Sequence, residues 1–233
     1  MAFLKLNDNS LSVCKYIVQQ YSEILAIELV AHKVGKNWRQ VYSGKEEKLA
    51  HLSSAFIQTL PLRRVRYERD KFMSVVCEDL PKVGKHCVWS ISSKVWCKDQ
   101  KYRHIGMMNF HSETGSLDDI IYSIQQICGH KPGILLNSGR YFHYYGNFLL
   151  GEDEWRRFMV SFLMPCVLVS PRYIGHRLYA GYCTLRLTVD QSYKPVVPYV
   201  VHILDHTHDL TSQHEKKSNL SCVIDTQKPG NVE

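Results

Sequence analysis

Ser138, Arg140 and His143 stand close together in the stretch Leu136-Asn137-Ser138-Gly139-Arg140-Tyr141-Phe142-His143-Tyr144-Tyr145-Gly146. A serine hydroxyl and the N–H groups of a tight turn can donate to phosphate oxygens. A guanidinium grips two such oxygens at once, and an imidazole donates or shuttles a proton. Together these are the parts of a site for a nucleoside triphosphate. The competing reading is a surface hairpin whose histidine is structural. A second group, His202, Asp205, His206, His208 and Asp209, has donors for a transition metal, but its place at the edge of a polar tail favours a solvated segment.

The hairpin follows from residue types. Ile134 to Leu136 and Tyr141 to Tyr145 are aliphatic, β-branched or aromatic, and Asn137-Ser138-Gly139 carries turn chemistry. Before it, Asn9 or Ser10 caps a helix with apolar residues at three- and four-residue spacing, namely Val13, Ile17, Val18, Tyr21, Ile24 and Leu25. Strands are expected at Ala26 to Val30 and Trp38 to Tyr42, and a helix from Lys45 to about Thr59, stopped by Pro61. Extended signals recur at Cys87 to Ile91, Lys94 to Cys97 and His104 to Phe110. Ser116-Leu117-Asp118-Asp119 opens a third helix that Gly129 follows, and Glu152-Asp153-Glu154 begins a fourth that ends at Pro165. Cys166 to Val169 reads as a strand, Ile174 to Leu178 as a short helix, and Tyr182 to Val189 and Val196 to Leu204 as strands. Helices and strands in this irregular order give an α+β fold.

Composition narrows the class. The 233 residues can bury a full core, and no apolar run approaches the roughly 18 residues of a membrane helix. Met1 to Asp8 has neither a basic start nor a long apolar run, so the expected location is cytoplasmic, with no membrane partner. A formal charge of +7, from 29 basic and 22 acidic residues, favours an anionic partner such as nucleic acid. The densest basic run is Arg63-Arg64-Val65-Arg66-Tyr67-Glu68-Arg69-Asp70-Lys71, in which bases alternate with Val65 and Tyr67 as on the exposed side of a strand. None of the eight cysteines forms a C-x-x-C pair, which leaves them as small core residues.

The order of a strand at Ile105 to Phe110, a helix at Ser116 to Cys128, the S-G-R-Y-F-H hairpin, a helix, and a strand at Cys166 to Val169 resembles the archaeo-eukaryotic primase (primase-polymerase) superfamily, and within it the bacterial primase 1D-like group. The resemblance spans roughly residues 85 to 205. It implies an RRM-like antiparallel sheet with packed helices, as in primase-polymerase catalytic modules. Residues 1–84 then form N-terminal α/β elements packing on the core, 85–205 the primase-like core, and 206–233 a polar mobile tail. The family carries an acidic D-x-D strand, a small-x-His turn and a later strand ending in an acid. Ser138 and His143 match the second signature, which implies that His143 contacts nucleotide phosphates with help from Arg140. Arg172, His176, Arg177 and Arg186 lie in segments resembling the region beyond the third signature, where they would meet phosphate or template.

The first and third signatures are altered. Asn109 and His111 occupy the two positions where the resemblance implies metal-binding aspartates, and Ser170 follows Val169 where an acid is implied, with Asp190 the nearest downstream carboxylate. Alternation puts Asn109, His111 and Glu113 on one face, but amide and imidazole are poor ligands for hard Mg²⁺. Two metals held by carboxylates are what activates the 3′ oxygen and steadies the leaving pyrophosphate. Three readings follow. The chain binds nucleotides or single-stranded DNA or RNA with altered or lost polymerisation; it uses another divalent metal, Mn²⁺ rather than Mg²⁺, through His111 and Glu113; or it is a non-catalytic scaffolding subunit of a replication, repair or defence complex, recruited through its N-terminal region. A metal-dependent hydrolase built on His111, His143 and His176 is a further alternative. If the chain is active, Asn109, His111 and His143 are the catalytic candidates.

Overall fold

The computed structural model describes residues 4–34, 61–111 and 116–205. The expected strand at Trp38 to Tyr42, the expected helix from Lys45, Glu113, and the polar segment from His206 lie outside them. Helix α1 (Ser10–Gln20) starts where Asn9 accepts a hydrogen bond from the Ser12 N–H at 2.9 Å. It buries Val13, Cys14, Ile17 and Val18. Strand β1 (Ile24–Lys33) follows, and then, beyond the undescribed stretch, β2 (Arg63–Glu68) and the short α2 (Arg69–Ser74). In β2 the alternation holds, with Val65 and Tyr67 on the core and Arg64 and Arg66 on the exposed side.

The two extended signals between Cys87 and Cys97 are one long strand, β3 (Cys87–Cys97), which leads into β4 (Tyr102–His111). Helix α3 (Leu117–Cys128) is started by a reciprocal capping box between Ser116 and Asp119. The hairpin strands are β5 (Gly133–Asn137) and β6 (Tyr141–Leu150), followed by α4 (Glu152–Ser161), α5 (Pro171–Ala180), β7 (Thr184–Arg186) and β8 (Tyr199–Leu204). Cys166 to Val169 is not a strand. The Leu168 and Val169 N–H groups both bond back to the Pro165 carbonyl, closing a turn between Pro165 and Pro171 that tucks Leu168 and Val169 into the core. The expected strand at Tyr182 to Val189 is confined to β7, and that at Val196 to Leu204 to β8.

The α+β reading is what the fold shows. Among the described residues, eight strands form one antiparallel sheet in the order β2-β1-β3-β4-β6-β5-β8, with β7 added alongside β3. Strand β3 pairs with β4 only at Lys94 to Trp96, and its stretch Ser90 to Ser92 pairs with β7 instead. β4 leaves β3 there and runs on along β6. Two cores result. Met107, Tyr145, Leu136 and Val200 pack with α1 on one face, while Met108, Tyr144 and Leu135 meet α3 and α4 on the other.

A buried polar chain joins the sheet to α4. The Cys183 N–H donates to Ser93 Oγ at 3.1 Å, Ser93 Oγ lies 3.0 Å from His104 Nδ1, and His104 Nε2 lies 3.2 Å from Glu152 Oε2. Burial pushes the His104 pKa down to about 4 against the pull of Glu152. The neutral ring therefore donates from Nε2 to Glu152 and accepts the Ser93 hydroxyl at Nδ1. Trp155 stacks on it at 4.3 Å between ring centroids. The order of groups is that of a hydrolase triad, but Ser93 and His104 are fully buried, so the chain is a structural staple.

Candidate functional site

Asn109 on β4 and His143 on β6 are direct cross-strand partners. Each lies two residues along from a core residue of the α1 face, Met107 and Tyr145, so the sheet pleat puts both side chains on that face. His143 is 5% exposed. Neither its Nδ1 nor the buried Asn109 Oδ1 has a hydrogen-bond partner among the described residues. An unpaired buried polar atom costs on the order of 1–3 kcal/mol, and these two lie opposite each other on neighbouring strands.

The charges facing His143 are positive. Burial first, then Arg186 and Lys194, push its pKa down to about 3, so the ring is neutral at physiological pH. Lys194 is itself lowered by burial and by Arg186 and Arg140. Its ammonium sits 4.9 Å from the Tyr141 ring centroid. Lys194 was invisible in the sequence, because it lies in the loop between β7 and β8, far along the chain from the hairpin it covers.

The hairpin itself is tightly self-bonded. Ser138 donates from both its backbone N–H and its hydroxyl to the Tyr141 carbonyl, each at 2.8 Å, and the Gly139 N–H donates to Asn137 Oδ1 at 2.7 Å. Gly139 takes φ of 93°, a left-handed conformation that suits glycine. These donors, expected to meet phosphate, serve the turn in this conformation. Arg140 is exposed at its tip.

Arg186 braces the site from β7. Its Nη1 donates to the carbonyls of Thr188 and Val196, each at 2.7 Å, and its Nη2 to that of Ser138 at 2.9 Å. Burial lowers its pKa to about 10, still far above neutrality. The strand that brings a cation to His143 is β7, and not the expected one at Cys166. Ser170 only precedes α5, and Asp190 accepts the Ser192 and Tyr193 N–H groups at 3.2 and 3.0 Å in a loop turn.

The remaining candidates gather on α5. Arg172 Nε donates to His176 Nε2 at 3.4 Å, and Arg177 Nη1 donates to Thr184 Oγ1 at 3.3 Å. Arg177 and Arg64, behind burial, hold the His32 pKa down to about 4. The metal reading rests on His111 and Glu113, and the His111 side chain and all of Glu113 lie outside the described residues. Among the described residues no group of three or more His, Cys, Asp or Glu side chains is placed to hold a metal ion. With Asn109, neutral His143 and three cations, the described donors do not fit Mg²⁺.

A family model described as Archaeo-eukaryotic primase 1D-like matches residues 72–199, more than half of the 233 residues. The chain belongs to the archaeo-eukaryotic primase 1D-like family. The match covers β3 to β7 and the loop that carries Lys194, so the primase-like assignment takes in both strands of the Asn109–His143 pair. No curated protein and no solved structure matches the chain.

Proposed function

We propose that this primase-like protein binds a nucleoside triphosphate, single-stranded nucleic acid or both, without two-metal nucleotide joining. The observation that carries the reading is the positive charge of Arg186 and Lys194 beside buried His143, whose unpartnered Nδ1 donates to an oxyanion when that nitrogen carries the ring proton. Cations at the mouth attract phosphate. Arg140 is exposed for contact, Lys194 lies beside it, and Arg186 adds field while holding the hairpin. Arg172, His176 and Arg177 on α5 extend the basic surface for template or phosphate. A cytoplasmic setting goes with this reading, and no helix among the described residues is long and apolar enough to cross a membrane.

The test is titration of labelled triphosphate into the protein, with and without Mg²⁺ or Mn²⁺, beside extension of a primed single-stranded template. Expected are binding that survives chelation, a loss of about tenfold in Arg140→Ala and in Lys194→Ala, and no extended product. Metal-dependent product would overturn the proposal and restore Asn109, His111 and His143 as catalytic candidates. Absence of triphosphate binding favours the scaffolding reading instead. That alternative draws on a separate observation, the exposed Val160, Leu163, Met164 and Val167 at the end of α4 and in the turn after it, which would suit a protein partner.

A further inference from the structure

The basic run on β2, which the nucleotide site does not use, has company that only the fold supplies. Arg64 and Arg66 line a groove with Glu28 of β1, Lys94 and Trp96 of β3, and Tyr102 of β4. These strands are neighbours in the sheet, and Ala26 at the groove's base pairs with Trp96, which in turn pairs with Tyr102. The two rings sit 4.8 Å apart between centroids and tilt 57° from each other, so they do not cover one another face to face. Arg66 lies 5.6 Å over Trp96 and Lys94 lies 5.6 Å over Tyr102. Tyr102 is 52% exposed. Among the described residues Glu28 is the one acid lining the groove, and it is neutralised by Arg64 at 2.9 Å.

We propose that this groove is a track for single-stranded nucleic acid, separate from the Asn109–His143 pair, in which unpaired bases stack on Tyr102 and Trp96 while Arg66 and Lys94 hold the phosphates. Cations alone would accept any polyanion. The half-exposed ring of Tyr102, with partly buried Trp96 beside it, selects the strand whose bases have a free π-face, which a duplex does not offer. Arg64 is a positioning residue: besides Glu28 it donates to the Tyr182 hydroxyl at 2.6 Å, which fixes the wall of the groove.

The inference rests on the proposal that the protein binds nucleic acid, and the test separates the two. Fluorescence anisotropy with a labelled oligothymidylate of about 15 nucleotides, and with a duplex of equal length, is measured on the full chain and on Tyr102→Ala, Tyr102→Phe and the double variant Arg66→Ala/Lys94→Ala. Single strands are expected to bind more tightly than duplex. Tyr102→Ala should weaken them about tenfold, Tyr102→Phe should restore them, and the double variant should weaken them and flatten the salt dependence. Thermal melts confirm that these surface variants fold. Parent binding that is unchanged in every groove variant, or equal for duplex and single strand, overturns the groove and leaves the nucleotide site standing. No binding of single strands by the parent overturns both the groove and the nucleic-acid half of the functional proposal.

Discussion

Two buried histidines on adjacent strands of the same sheet have opposite surroundings. His104 is enclosed by Ser93, Glu152 and the face of Trp155, and both ring nitrogens have partners. His143 is buried almost as fully, yet its Nδ1 has none among the described residues, and Arg186 and Lys194 contribute the charges that act on it. Both rings are neutral because burial opposes their charging. What differs is satisfaction. A completed polar network binds sheet to helix at His104, while His143 keeps an unpartnered nitrogen beside two cations.

The largest expected effect breaks the first half of this comparison. His104→Ala takes the ring partner from the buried Ser93 hydroxyl and empties the space under Trp155, and should lower unfolding stability by about 3 kcal/mol in urea titration. His143→Ala removes an already unpartnered nitrogen and should cost clearly less. Equal losses would mean that the two histidines play the same structural part.

Acid should act on both. His104 and His32 are held down to about 4 and His143 to about 3, against an ordinary value of 6.5. The unfolded chain therefore takes up these protons at higher pH than the folded one. Stability is fully present above about pH 6.5 and falls as pH drops toward 4, and for His143 toward 3. Urea midpoints across that range check this, and His143→Gln should make the slope shallower. An unchanged slope would show that His143 is not buried in neutral form in solution.

The smallest effect is the most local. Asn109→Asp puts a carboxylate opposite His143, and should raise that histidine's pKa by about one unit, read by NMR titration, with little change in stability. If the titration does not move, the two side chains do not share a site in solution.

Much of the scaffold was legible in local sequence. The caps at Asn9 and Ser116, the apolar spacing of α1 and α3, and the Asn137-Ser138-Gly139 turn each act over a few residues, where propensity and hydrogen bonding suffice. The same local signal misled at Cys166 to Val169, an apolar run that two flanking prolines bend into a turn. Ser138, His143 and Asn109 could be picked out as candidates from the sequence, and the fold sets Asn109 and His143 opposite each other.

Sequence alone determined α1, α3, α4, α5 and the hairpin, because each is a property of neighbouring residues. Tertiary structure decided which residues surround them. It brought Lys194 and Arg186 to His143, turned the Ser138 hydroxyl back onto Tyr141, closed Ser93, His104 and Glu152 into a staple, and set Trp96 and Tyr102 beside the arginines of β2. Those encounters depend on strand order and register, which arise from the packing of distant segments and leave no period in the chain for a reader to count.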